Sequence, residues 1–242
     1  MALFSNQEKP PDPLVVALQE CGGNFDWAAK KVSRRVETNQ DGETTLLFIH
    51  YAVNIGDEGF ELIGKLKSLE VLDATDSTLT NKGVQPLGKL EFLKELILDI
   101  SEVGDDGLQF LSELPMLRRL SLSATRVGDQ GLKHLKNIKS LESLNLSSTS
   151  ITSHGLQFLQ DLHNLSHLDL GENNIRDEGI AHLRKLSKLQ SLTLNYNRIT
   201  DEGAYWLKGY ENMKFLNLKG NFITDPMVAQ LIESMPHTTI NH

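Results

Sequence analysis

Residues 165–186, LSHLDLGENNIRDEGIAHLRKL, decide the fold. Leu165, Leu168 and Leu170 are spaced for a short strand that turns alternate side chains inward. Asn173 and Ile175 follow as a corner, and Asp177, Gly179, Ile180, Leu183 and Leu186 then fall at helical spacing. One strand, one tight corner and one short helix thus occupy 24 residues before the pattern restarts at Leu189. Such a unit cannot bury its apolar side alone, so it predicts a stack of similar coils.

The same register runs through most of the chain. Coils are expected to begin at Thr45, Leu69, Leu93, Leu117, Leu141, Leu165, Leu189 and Met213, with an unbroken 24-residue step. Inward strand slots are then Phe48/His50, Leu72/Ala74 and so on to Leu216/Leu218, with Thr239–Asn241 as a closing strand. Pro226 suits the first helical position, which makes Asp225 the expected helix N-cap. Asp57, Asn81, Asp105, Asp129, Ser153, Asp177 and Asp201 share that slot. Two residues on, glycine recurs from Gly59 to Gly203, which suggests that a neighbouring backbone leaves no room for a Cβ. Pro86 predicts a short or distorted helix after Asn81. The corner residues Ser101, Thr125, Thr149, Asn173, Asn197 and Asn221 can bond the backbone of the adjacent coil. Asn does this more completely than Ser or Thr because it both donates and accepts.

The pattern L-x-x-L-x-L-x-x-[N/T]-x-[I/V]-x-D-x-G-L-x-x-L resembles the leucine-rich repeat family. Ile199-Thr200-Asp201-Glu202-Gly203 is similar to the T-D-x-G-L turn of its ribonuclease-inhibitor-like and bacterial members. The resemblance covers residues 45–242. It implies an α/β fold, a right-handed leucine-rich-repeat solenoid (a horseshoe) of eight coils. It also implies a protein-binding module that uses the concave strand face. The family shares no residue-level site, so none is carried over.

Residues 1–44 read as a proline-containing tail, a helical cap around Gly22-Gly23-Asn24 and the first strand of a hairpin that turns at Asp41-Gly42. The stretch from Ala17 to Ala29 also faintly resembles ubiquitin-associated domains and one bacterial helix-turn-helix type. Either would need a third helix, so a cap over the end of the stack is the better reading.

A net charge of −8 argues against nucleic acid as a partner. The single cysteine, Cys21, permits no intrachain disulfide and fits a reducing compartment. No stretch has the length and apolarity of a membrane span, and the start lacks a cleaved-signal pattern. A cytoplasmic location follows, although signal-less export is compatible with the same features. No cofactor or metal is expected. His163 and His167 straddle a helix-to-strand connection, and His50 has no ligand partners spaced nearby.

Outward strand slots form the candidate site. His167, Asp169 and Ser191 fall close together there and invite a hydrolase reading. No strained elbow or glycine-rich oxyanion loop accompanies the serine, and the face is open to water. Protein binding is the better expectation. At one end the face should present Leu47, Ile49, Tyr51, Val71, Ile97 and Ile100. At the other, Tyr196 and Phe215 should stand beside Asn195, Asn217 and Lys219, next to His167 and Asp169. The expected function is a non-catalytic scaffold for a protein partner, of unspecified oligomeric state. The alternative is a substrate-recognition or targeting module of a larger assembly, such as a ligase adaptor or an exported effector.

Overall fold

The computed structural model describes residues 35–49 and 55–242. Ten strands form one sheet in chain order among these residues. They are β1 (Arg35–Thr38), β2 (Thr44–Phe48), β3 (Val71–Asp73), β4 (Glu95–Ile97), β5 (Arg119–Ser121), β6 (Ser143–Asn145), β7 (His167–Asp169), β8 (Ser191–Thr193), β9 (Phe215–Asn217) and β10 (Thr239–Asn241). β1 runs antiparallel to β2, and all later neighbours are parallel. The hairpin turn and the closing strand expected from the sequence are both present. The tail and helical cap expected before residue 35, and the roles given to Cys21, His50 and Tyr51, lie outside the described residues.

The return path carries α1 (Gly56–Ile63), α2 (Asn81–Val84), α3 (Asp105–Leu108), α4 (Asp129–Leu135), α5 (Asp177–Ile180), α6 (Asp201–Tyr205) and α7 (Asp225–Ser234). Three continue as 3-10 turns, at Gln85–Lys89, Gln109–Leu111 and Ala181–Lys185, and in the coil after β6 a 3-10 turn at Gly155–Phe158 takes the helix's place. Pro86 sits in the first of these turns, as its missing N–H requires. The equally short α3 and α5 contain no proline, so brevity belongs to the repeat and not to Pro86. Between sheet and helices the inward leucines and isoleucines form one continuous apolar core from Leu47 to Met235.

From β3 onward every pairing steps by 24 residues, as Leu72↔Leu96 and Leu192↔Leu216 show. The first step does not. Leu47, rather than Phe48, pairs with Leu72, so the first coil is one residue longer. Ile55 and Leu79 are again in register, which puts the extra residue between Ile49 and Ile55. A one-residue slip exchanges the two faces of a strand. Leu47 and Ile49 are therefore buried, and the outward residues are Leu46 and Phe48, the latter under the Arg35 guanidinium at 5.3 Å. Aliphatic side chains fill the inward slots better than the Phe48/His50 pair expected from an unbroken step.

Three polar ladders join the coils. The corner residues form the first. Asn197 Nδ2 donates to the Leu170 carbonyl of the preceding coil at 2.9 Å, and its Oδ1 accepts from Ile175 N–H at 2.9 Å. Asn173 and Asn221 repeat this arrangement. The Ser101 and Thr125 hydroxyls reach only the Leu98 and Leu122 carbonyls of their own coils. Ser77, in the same slot, has a buried hydroxyl with no partner among the described residues.

The second ladder overturns the N-cap reading. Asp177 opens α5 as a helical residue, and its carboxylate points to the next coil. Oδ1 accepts from Thr200 N–H and Oδ2 from the Thr200 hydroxyl, both at 2.7 Å. Asp57, Asp129 and Asp201 hold Thr80, Thr152 and Thr224 in the same way. For α2 to α7 the true N-caps are the extended residues one position earlier, whereas α1 starts at Gly56 after Ile55. Thr80 and Thr200 also accept from the helical N–H groups of Lys82 and Glu202. This arrangement explains the glycine column. A Cβ on Gly203 would lie 2.4 Å from Asp177 Oδ1 and 2.9 Å from its Cα. The crowding atoms are thus a side-chain oxygen and a backbone carbon of the coil before.

The third ladder was not visible in the sequence. Asp76, Ile100, Ala124, Ser148, Glu172 and Tyr196 each adopt a left-handed backbone with φ between 51° and 56°. Each of these N–H groups donates to a carbonyl of the next coil, as Ile100 does to Ser123 at 2.8 Å and Tyr196 to Lys219 at 2.7 Å. A β-branched residue is the least suited to this conformation.

Two stability outcomes follow from the ladders. Asn197→Ala strands the buried Ile175 N–H and should cost about 2–3 kcal/mol, against about 1 kcal/mol for Thr125→Ala, measured by urea unfolding. Equal costs would refute the inter-coil role of the asparagine. Ile100→Asn relieves the left-handed strain and should raise stability by about 1 kcal/mol in the same assay. A loss would show that the Ile100 side chain matters more than its backbone.

Candidate functional site

Short parallel strands give the sheet's outer face three rows of side chains. One row runs Val71, Glu95, Arg119, Ser143, His167, Ser191, Phe215. The next runs Asp73, Ile97, Ser121, Asn145, Asp169, Thr193, Asn217. Past the strand ends come Thr75, Asp99, Ser123, Ser147, Gly171, Asn195 and Lys219, and then the left-handed corners.

The polar middle of this face is cross-linked. Asp99 Oδ1 accepts from the Ser121 hydroxyl at 2.6 Å and Ser123 N–H at 2.8 Å. The Ser123 and Ser147 hydroxyls meet at 2.9 Å, and the Ser147 hydroxyl also donates to Asn145 Oδ1. Arg119 Nε donates to Glu95 at 2.9 Å across one coil. Burial pushes the Asp99 carboxyl above the ordinary carboxylate range, against the pull of its two hydrogen bonds. The Asp169 carboxyl is pushed up by the same cause, against a 2.9 Å bond from Gly171 N–H.

His167, Asp169 and Ser191 share neighbouring strands as expected, but their hydrogen bonds lead elsewhere. His167 Nδ1 meets the Ser166 hydroxyl at 2.9 Å, and Asp169 is engaged by Gly171. Among the described residues no group of His, Cys, Asp and Glu is arranged to hold a metal ion.

The other candidates are spread more widely than the sequence implied. Phe215 opens β9 and is half-buried, whereas Tyr196 lies in the corner after β8 and is 52% exposed. Their rows lie five residues apart along the chain, with Tyr196 past the strand end at the left-handed corner. They therefore stand at opposite rims of the face, with Asn217 and Asn195 between them. Asn195 lies over Gly171, where a Cβ would approach its Oδ1 to 2.4 Å. Tyr196 similarly lies over Gly220, whose Cβ would come within 2.4 Å of the ring. Ile97 is half-buried within β4. Ile100 is 55% exposed at the corner, beside a shallow groove of about 440 Å³ that includes Thr78, Ala124 and Ser148. Leu47 and Ile49 drop out of the face, as the first-coil register requires.

Sequence reading missed two features. Six of the seven left-handed corners hold six different residue types other than glycine, and only Gly220 carries the residue that flags the conformation. Tyr205 and Trp206 are exposed on the helical side. Their signal was two adjacent aromatics in slots that the repeat directs outward.

Comparison with known proteins fits this architecture. A family model described as "Leucine-rich repeat region" matches residues 44–238. No curated protein sequence matches the chain. Among solved structures, an internalin C2 from Listeria monocytogenes is 24% identical with a TM-score of 0.68, covering 96% of this chain and 97% of its own. An internalin, inlF, from the same species is 25% identical with a TM-score of 0.56, covering 75% of this chain and 56% of its own. A leucine-rich repeat protein of Leptospira interrogans is 23% identical with a TM-score of 0.59, covering 75% and 51%. The chain thus spans only about half the length of the latter two. Among the described residues no helix is long and apolar enough to cross a membrane. The repeat register, the parallel sheet and the family match over most of the length agree, and the chain belongs to the leucine-rich repeat family.

Proposed function

We propose that this chain is a non-catalytic scaffold that takes a protein partner on the outer face of its sheet, across β7–β9. Leucine-rich repeat folds are typically protein-interaction scaffolds, and the family is generally non-enzymatic. The observation that carries the reading is Tyr196. The ring is half exposed, it sits on a strained left-handed residue, and it rests on a glycine that has no room for a Cβ. An aromatic ring presented in this way contributes contact area at little entropic cost. Phe215 supplies a second anchor at the opposite rim, and His167, Asp169, Asn195 and Asn217 lie between as polar contacts. Asp169 supports the same reading, since carboxylates raised by burial cluster at functional surfaces.

A second reading is a recognition or targeting module of a larger assembly, in the manner of a ligase adaptor or an exported effector. It is favoured by the two neighbours of which this chain covers only 56% and 51%, because there the repeats are one part of a longer chain.

Photo-crosslinking separates face from edge. A photoreactive residue at Thr193 should yield a specific adduct with a captured partner, and one at Gln157 on the helical side should not. Tyr196→Ala and Phe215→Ala should each weaken that partner's binding by about 2 kcal/mol. Their separation makes the two losses additive within about 0.5 kcal/mol. Ile97→Glu should weaken binding similarly if the partner extends to β4. Normal binding by all three variants, with binding lost on charge reversal at Lys136 and Arg184, would place the partner at the C-terminal ends of the helical segments, where these two cations lie.

The carboxylates give a pH signature. The raised Asp169 pKa means the folded state holds this proton more tightly than the unfolded chain. Its stabilising contribution is complete below the unfolded pKa and is lost as pH rises through the folded one. Asp169→Asn keeps an acceptor for Gly171 N–H and cannot ionise. Its melting temperature should therefore gain on the parent as pH rises from about 3 to about 6. A difference independent of pH would show that Asp169 is not desolvated.

A further inference from the structure

Tyr205 and Trp206 are 55% and 41% exposed on the helical side of the coil that holds β8 and α6. Their counterparts one coil earlier are Ala181 and His182, so the repeat itself does not demand aromatic rings there. The two ring planes meet at 80° with centroids 6.4 Å apart. They wall an open groove of about 480 Å³ whose remaining lining is Asp201, Glu202 and Met227.

The chemistry of this lining selects for positive charge. Aromatic faces carry negative electrostatic potential and attract cations. The protein's own cations already do this. The Arg184 guanidinium lies 6.0 Å from the Trp206 ring centroid, and the Lys208 ammonium lies 5.1 Å from that of Tyr205. Neither cation lines the groove, where carboxylates take their place. Asp201 is held rigid by Thr224 through both of its oxygens. The Glu202 carboxylate has no bonded partner among the described residues. A neutral apolar side chain seated here would leave that carboxylate poorly solvated and uncompensated, and an anion would be repelled.

We propose that this groove takes a lysine or arginine side chain of a protein partner. The aliphatic stem would lie on the rings and the Met227 thioether, with the cationic head toward Glu202 and Asp201. A side chain tethered to a protein fits better than a free small cation, because pockets for free ligands enclose most of the ligand and this groove is open. The surface is distinct from the sheet face and does not depend on the binding proposed there.

The chain contains two tryptophans, so a Trp27→Phe background makes fluorescence report Trp206 alone. Blocked Gly-Lys-Gly and Gly-Arg-Gly tripeptides are titrated against a norleucine tripeptide as the uncharged comparator. The cationic peptides should shift the emission saturably and bind roughly 3- to 30-fold tighter than norleucine. Glu202→Gln and Tyr205→Leu, at exposed positions that leave the core intact, should each shrink that preference with no change in melting temperature. Equal binding of the norleucine peptide would make the groove an apolar dock and overturn the proposal. So would the absence of a saturable shift with either cationic peptide, or a preference undiminished in Glu202→Gln.

Discussion

A coil of this chain cannot satisfy its own polar backbone. Its strands are three residues long and most of its helices a single turn, so many N–H and C=O groups are left at corners and helix starts. Many of these are taken up by an adjacent coil. Asn173, Asn197 and Asn221 bind the backbone of the coil before, and the helix-start aspartates bind the coil after. Single hydrogen bonds of this kind contribute about 1 kcal/mol, but burying such groups unpaired costs more. The stack is therefore held by mutual completion as much as by its leucine core, and a lone coil would have neither.

The aspartate and glycine columns are one device. A carboxylate that reaches into the next coil occupies the space a Cβ would need two positions into that coil's helix, which is why glycine recurs there despite its poor helix propensity. Threonine belongs to the same device. Where the residue facing it at the next helix start is Thr80, Thr152, Thr200 or Thr224, the aspartate makes a second bond to its hydroxyl. Where it is Gly104, held by Asn81, or Gly128, held by Asp105, the bond to the N–H stands alone. The tightness of each junction thus varies along the stack with one hydroxyl.

This division of labour leaves some positions free of structural duty. Inward strand slots are committed to the core, and corner and helix-start slots to the ladders. Outward strand slots and outward helix slots are constrained by neither, and there the chain places its unusual residues. At the corners, Tyr196 and Ile100 give their backbones to the third ladder while their side chains remain half exposed. Asp99 and Asp169 accept partial burial as carboxylates. Tyr205 and Trp206 present rings to solvent on the opposite side.

The sequence alone determined the parallel repeat, its inward leucines, the asparagine ladder and the close approach at the glycines. Each rests on spacing, and spacing is written in the chain. It also placed His167, Asp169, Asn195, Asn217, Ile97 and Phe215 on or beside the outer strand face, because alternation along a strand is local. Only the tertiary structure decided the rest. The additional residue after Ile49 moved Leu47 and Ile49 into the core, since aliphatic packing against Leu72 and Ala74 outweighed an unbroken register. The helix-start aspartates proved to bond across coils, because their own first turns were capped one residue earlier. The left-handed corners arose because each of those N–H groups must reach a carbonyl in the following coil. That requirement comes from stacking, and it overrides the preference of residues as ill suited as Ile100.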